Sequence, residues 1–174
     1  SQKDIDIDAL NKALLEAQNS LLSNEEELST LVDKLSSKSS QINDLEPTIA
    51  SLQEQATRCE EQLQTFEMLK VELRKEQPLL DKLQRKVKDL QSKIDMLHDH
   101  EYDPDCSFCC NNEFVKKAED AKVQIVGAKE QVEDKKSVIL DLKMKCSLFD
   151  EDDLTSKINE AKVAETTLSN IQSE

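Results

Sequence analysis

The chain has 174 residues, with a single Gly, three Pro and no Trp, and its residues are 34% charged but only 3% aromatic. A compact globular domain of this length uses more Gly and Pro in turns and more aromatic side chains in its core, so this composition excludes a thick core and favours long helices. The net charge of −14 makes direct contact with nucleic-acid phosphates unexpected. No signal peptide and no long apolar stretch is present, so we expect no membrane contact.

Residues 10–66 carry a heptad pattern formed by two interleaved series of positions. The first series is apolar throughout: Leu14, Leu21, Leu28, Leu35, Ile42, Ile49, Ala56 and Leu63. The second series is polar only at Asn24 and Lys38, and it consists of Leu10, Ala17, Asn24, Leu31, Lys38, Leu45, Leu52, Cys59 and Phe66. Apolar residues continue at similar spacing to Leu97, so the pattern predicts a coiled-coil helix over the whole stretch.

Two features predict interruptions of this first arm. Apolar residues from Leu63 to Leu73 are spaced by three, three and four residues instead of alternating between three and four. Such a stammer overwinds a coiled coil locally. Pro47 and Pro78 each lack the backbone N–H that an interior helical residue donates, so each is expected to kink or interrupt the helix, or to lie in the first turn of a new one. We therefore expect two or three collinear helices in this arm rather than one.

The heptad pattern stops at His98, and a second pattern begins near Glu113. The stretch between them contains the turn residues Asp103-Pro104-Asp105 and the cap residues Asn111-Asn112. Since these residue types favour turns and helix caps, we expect residues 99–112 to form a loop.

The second arm has its own two heptad series. They consist of Ala118, Ile125, Val132, Ile139 and Cys146, and of Ala121, Ala128, Lys135, Leu142 and Phe149. The pattern breaks at the acidic residues 150–153, which suit the first turn of a new helix, and it resumes at Leu154.

Two such arms joined by a short loop predict an all-α fold, a long antiparallel coiled-coil hairpin. With Cys106 at the tip, facing residues have numbers that add to roughly 212, so that Glu174 faces about Lys38. The irregular stretches 63–69 and 143–149 then face each other, and we expect a joint or a locally unwound segment there. The expected segments are an overhang at 1–37, a first arm at 38–98, a hook loop at 99–112, a second arm at 113–149 and its continuation at 150–174.

The overhang at 1–37 has an apolar stripe but no facing residues within the chain under this register. Such a helix is unstable alone, because the stripe would remain in water. We therefore expect it to pair with a second chain, or the sequence to be a piece of something longer.

The most distinctive chemical feature is Cys106-Ser107-Phe108-Cys109 at the expected tip. Two thiolates separated by two residues can bind one tetrahedral metal ion, and structural zinc takes four ligands. We favour a site shared with a second copy of the chain, in which Cys106 and Cys109 of each copy bind one Zn²⁺ and join the two as a homodimer.

Other interpretations of the cysteine cluster stay open. His98 and His100 could complete a site within one chain, and Cys110 could replace Cys109 as a ligand. The pair could also be exposed thiols or a redox pair. The odd count of five Cys is untypical of a secreted disulfide framework and favours an intracellular, reducing compartment. Cys59 and Cys146 occupy heptad core positions and are expected to pack as small apolar residues.

A Cys-x-x-Cys at the apex of an antiparallel coiled coil resembles the zinc hook of the Rad-fifty/SbcC family, SMC-like ATPases of double-strand-break repair. Cys106 and Cys109 match the ligand pair of the family, whereas Ser107 and Cys110 stand where the usual hook has Pro and often Gly. The resemblance implies that two hooks share one zinc ion. It also implies ATPase head domains at the far ends of the arms, where DNA and a nuclease partner of the Mre-eleven/SbcD type bind.

The expected function is therefore metal-mediated dimerisation or tethering rather than catalysis. The single Gly cannot build a phosphate-binding loop, and no catalytic constellation is present in the sequence. The family resemblance places such a protein in the nucleus of a eukaryote, or in the cytoplasm if it is prokaryotic or viral. The alternative function is a structural coiled-coil scaffold or tether with an incidental or redox-active cysteine cluster.

Overall fold

A computed structural model describes residues 6–98 and 103–174, without the side chains of Phe108 and Cys110. These residues form α1 (Ile7–His98), α2 (Ser107–Asn111), α3 (Glu113–Cys146) and α4 (Glu151–Ser173). The all-α class expected from the sequence is confirmed, since the described residues contain no strand. None of these helices combines the length and apolar character that crossing a membrane requires.

Short polar side chains begin three of the helices. Asp6 accepts a hydrogen bond from the N–H of Ala9 at 3.1 Å, and Asp150 accepts one from the N–H of Asp153 at 3.1 Å. The Asn112 side chain accepts a hydrogen bond from the N–H of Phe114 at 2.8 Å. Each acceptor satisfies one of the N–H groups that the first turn of a helix leaves without an intrahelical partner.

The described residues fall into two compact units, of which the second is Arg58–Thr155. Among its described residues are three core clusters that α1 and α3 share. Leu97 packs with Val115 and Ala118. The next clusters are Leu90 and Ile94 with Ala121, Ile125 and Ala128, and then Leu80 with Val132 and Ile139. The numbers fall along α1 as they rise along α3, so these two helix segments run in opposite directions.

Large side chains of α1 meet small ones of α3 in this core. Ala118 and Ala121 are each only 1% exposed, and Leu97 and Ile94 of α1 belong to the same clusters. A methyl side chain lets a neighbouring helix approach closely, so that branched side chains fill the space without voids. At the edge of this core, Lys135 donates a hydrogen bond to Glu76 at 2.6 Å.

The expected joint in the second unit is observed in one arm only. The second arm is interrupted between Cys146 and Glu151, whereas α1 remains helical across residues 63–69. Phe149 of the interruption stacks on Phe66 of α1, with ring centroids 5.4 Å apart. An aromatic contact therefore replaces the regular packing at the break.

Lys70 reinforces this aromatic contact. Its ammonium nitrogen lies 4.5 Å from the Phe66 ring centroid and 3.7 Å from a carboxylate oxygen of Glu151. A hydrogen bond with Glu67 is the main reason that the pKa of Lys70 is raised above its ordinary value, and the charge of Glu151 adds to it. The ring face of Phe66 and two carboxylates thus stabilise the positive charge of Lys70.

The first unit comprises Ser1–Thr57 and Ser156–Glu174. In it, Lys38 forms an ion pair with Glu174 at 3.1 Å, and the Gln53 amide donates to Glu165 at 2.9 Å. The first contact agrees with the pairing of Lys38 and Glu174 predicted from the heptad register.

Residues 6–37 are exposed along their whole length. Ten large apolar side chains in this stretch are 55–70% exposed. They are Ile7, Leu10, Leu14, Leu15, Leu21, Leu22, Leu28, Leu31, Val32 and Leu35.

The expected interruptions at Pro47 and Pro78 are wrong, because both residues lie inside the continuous helix α1. A proline in a helix interior costs about 3 kcal/mol through its missing N–H and its steric clash. Ile49 and Leu80, each two residues beyond a proline, are buried. Burying such side chains stabilises the helix around each proline by roughly 1.5–3 kcal/mol apiece, and neighbouring core residues add to this.

The same substitution at two valines of α3 tests this packing. Val132 is 7% exposed in the core, whereas Val123 is 79% exposed. We expect Val132→Ala to lower the free energy of unfolding by about 2 kcal/mol, because it removes buried methyl groups and leaves a cavity. Val123→Ala should change it by less than about 0.5 kcal/mol. Urea denaturation followed by far-UV circular dichroism measures both, and equal losses would contradict the packing described above.

Candidate metal centre

The residues before the first cysteine form a tight turn. The backbone N–H of Cys106 donates to the carbonyl of Asp103 at 3.2 Å, and the N–H of Asp105 donates to the Asp103 side chain at 2.9 Å. Pro104 occupies the second position of this turn, where its fixed φ is already suitable. The turn therefore sets the backbone position of Cys106.

Cys106 and Cys109 lie at the start of the short helix α2. Cys106 is the N-cap residue, with an extended backbone at φ −80° and ψ 115°, and Cys109 is the third residue of the helix. An N-cap residue and the third helical residue are neighbours within one turn, so Cys106 and Cys109 lie close along the chain at the start of α2. Both side chains are half-buried, and neither cysteine is joined in a disulfide.

Asn112 connects the cysteine helix to the second arm. Its backbone N–H donates to the carbonyl of Cys109 at 3.3 Å, and its side chain caps α3. The cluster of Leu97, Val115 and Ala118 lies next in the core, joining the end of α1 to the first turns of α3. The cysteine pair is thus attached to packed helix ends rather than to a long loop.

The sequence around the pair is strongly acidic. No Lys or Arg occurs between Lys93 and Lys116, while this stretch contains Asp95, Asp99, Glu101, Asp103, Asp105 and Glu113. A concentration of one sign of charge attracts counterions of the opposite sign. Divalent cations are therefore favoured near Cys106 and Cys109, and a second acidic tip is repelled.

The other suggested ligands have different outcomes. His98 is the last residue of α1 and is exposed. His100 lies outside the described residues, as does the side chain of Cys110. Within residues 6–98 and 103–174, no group of three or more His, Cys, Asp or Glu is arranged to hold a metal ion.

The remaining cysteines lie away from the tip. Cys59 is buried, and its predicted role as a small packing residue is confirmed. Cys146 is the last residue of α3 and is half-buried.

Three features of the site were missed by the sequence interpretation, which treated residues 99–112 as a loop. They are the helical turn of α2, the bond from Asn112 to Cys109 and the acidic character of the tip. The acidity is visible in the sequence, since no Lys or Arg occurs between Lys93 and Lys116. The helical turn carries no such signal, because five residues are too few to show a helical period.

Comparisons with protein-family models, curated proteins and solved structures found no match to this chain.

Two neighbouring asparagines test how the tip is attached to α3. We expect Asn112→Ala to lower the free energy of unfolding by about 1 kcal/mol, because the N–H of Phe114 loses its capping oxygen. Asn111→Ala is the control, since Asn111 is exposed and ends α2. Urea titration of both variants measures the difference, and a loss in Asn111→Ala as large as in Asn112→Ala would argue against the cap.

Proposed function

We propose that this chain is a metal-mediated dimerisation hook, in which Cys106 and Cys109 of two copies bind one Zn²⁺. The observation that carries the proposal is the position of the two thiols, at the N-cap and third residue of α2, attached directly to α3. Thiolate sulfur is a preferred ligand of zinc, and a Cys-x-x-Cys pair supplies two ligands. A structural zinc ion needs four, so a second copy supplies the other two.

The charge of the tip supports a cation-dependent contact. Two copies bring together two acidic stretches that contain no Lys or Arg between Lys93 and Lys116. Like charges at close range disfavour such a contact by themselves. A zinc ion bound by four thiolates is a centre of net charge −2, so it would not neutralise the tips. Its four directional Zn–S bonds would instead hold the two copies together against the repulsion.

We further propose that α1 forms one arm of an antiparallel coiled-coil hairpin and that α3 and α4 form the other. The opposed direction of α1 and α3 in the second unit supports this arrangement. The hook then lies where the arms join, and a dimer formed there tethers two pairs of arms. The function of this chain is mechanical: the arms set a distance and the metal sets the connection.

The wider role follows from the resemblance to Rad-fifty/SbcC hooks. In that setting the arms belong to an SMC-like DNA-repair ATPase, whose heads would bind DNA and a nuclease partner outside this chain. The protein would then work inside the cell, in the nucleus or cytoplasm. These parts of the proposal depend on Cys106, Cys109 and the antiparallel arms, and on nothing else in the chain.

Zinc stoichiometry measured beside molar mass tests the hook. We expect one zinc ion per two chains and a dimer by light scattering in the presence of a thiol reductant. Cys106→Ser should bind less zinc and be monomeric, because the shared site loses two of its four sulfurs. Cys146→Ser is the matched control, since it makes the same change at the far end of α3 and should leave both values unchanged.

Other outcomes identify the alternatives. One zinc ion per chain in a monomer would point to a site within one chain that includes His98 and His100. Dimers that disappear in reductant and contain no zinc would point to a redox switch. A dimer that persists in Cys106→Ser without zinc would point to a coiled-coil scaffold. Its dimer contact would then be sought first in the exposed apolar stripe of residues 7–37.

Acid should dissociate the dimer. Zinc binds thiolates, so protons compete with the metal for Cys106 and Cys109, and affinity falls as pH is lowered from neutrality. We expect sedimentation velocity to show dimers at neutral pH and monomers in mild acid or after addition of a chelator, with dimers returning when zinc and pH are restored. A disulfide-linked dimer would persist in acid, because thiol–disulfide exchange requires the thiolate.

A further inference from the structure

A basic segment lies within α1, in a chain whose net charge is −14. Residues 74–93 contain seven Lys or Arg and three Asp or Glu, whereas the whole chain contains 23 and 37. The basic residues are Arg74, Lys75, Lys82, Arg85, Lys86, Lys88 and Lys93. This local excess is opposite in sign to the rest of the molecule and is not used by the hook.

The structure leaves most of these charges without an internal partner. Glu76, one of the three acidic residues, forms an ion pair with Lys135 of α3 at 2.6 Å. Among the described residues, no carboxylate lies within ion-pair distance of Lys82, Lys86 or Lys93, and all three side chains are exposed. This interhelical pair neutralises Glu76 and Lys135 against each other, and Lys82, Lys86 and Lys93 face solvent.

Three of the cations border a shallow groove in the second unit. Lys82, Arg85 and Lys86 line it together with Lys135, above the apolar side chains of Leu79 and Leu83. Asp89 is the acidic residue of its lining. The groove thus presents Lys82, Arg85 and Lys86 against the single carboxylate of Asp89, while the charge of Lys135 is already paired with that of Glu76.

The cations recur along one side of α1 at distances suited to a nucleic-acid backbone. With a rise of 1.5 Å per residue, Lys82 and Lys86 are about 6 Å apart along the axis. Lys75 precedes Lys82, and Lys93 follows Lys86, by about 10 Å each. The grooves of B-form DNA are about 6 and 12 Å wide, so this series can contact phosphates on both sides of a groove.

We infer that the segment 74–93 is a binding surface for the phosphate backbone of duplex nucleic acid. No aromatic side chain lines the groove, so it offers no platform on which single-stranded bases would stack. The acidic remainder of the chain does not prevent such binding, because charges are screened over about 8 Å at physiological salt. The inference does not depend on zinc or on the proposed dimer, and it revises the expectation drawn from net charge.

Fluorescence anisotropy with a short labelled DNA duplex tests the surface, using the complete chain. We expect saturable binding whose logarithmic salt dependence has a slope of roughly −3, for about three neutralised phosphates. Lys82→Glu combined with Lys86→Glu should weaken binding at least about tenfold at low salt. Lys12→Glu combined with Lys34→Glu changes the net charge equally at exposed residues of the first unit and should weaken it less than about twofold.

Several outcomes would overturn the inference. They are the absence of saturable binding at low salt, equal losses in the two double variants, and competition by polyglutamate as strong as by unlabelled duplex. The last would assign the surface to an acidic protein instead. If charge reversal changes the circular dichroism spectrum, Lys82→Gln with Lys86→Gln replaces it and should reduce the salt slope by about two. An unchanged slope would also overturn the inference.

Discussion

The second unit depends on the burial of the apolar stripe of α1 against α3. The facing residues of α3 are small at Ala118 and Ala121 and larger at Val132 and Ile139. Helices of this composition gain most of their stability from packing rather than from propensity. Leu97 packs on Ala118 and Val115, so the end of α1 lies at the beginning of α3. Cys106 and Cys109 precede this packed start of α3, to which α2 is joined through Asn112.

The distribution of charge matters more for this molecule than its total. The tip has no Lys or Arg between Lys93 and Lys116, whereas residues 74–93 have an excess of both. Neighbouring stretches of the chain thus differ in the sign of their charge, as the two proposed ligands require: a cation at the thiols and a polyanion along α1. A net charge of −14 hides this separation, because screening makes each patch act locally.

Packing also decides where the helices are interrupted. Pro47 and Pro78 are tolerated inside α1, while the second arm breaks after Cys146 with no proline nearby. Apolar residues beside each proline remain buried, which outweighs the lost hydrogen bond. At the break, the stacked rings of Phe66 and Phe149 maintain contact between the arms without a regular helix on both sides.

The sequence by itself determined the helical class, the end of the pattern at His98, a capping role for the pair Asn111-Asn112 and the approximate pairing of Glu174 with Lys38. These follow from periodicity and from side chains that act within one turn, which are local properties. Only the tertiary structure decided that α1 continues through its prolines, that α2 forms between the arms, and that Glu76 pairs with Lys135 while Lys82 and Lys86 face solvent. Each of these depends on competition between contacts of residues far apart in the chain, which a one-dimensional pattern does not contain.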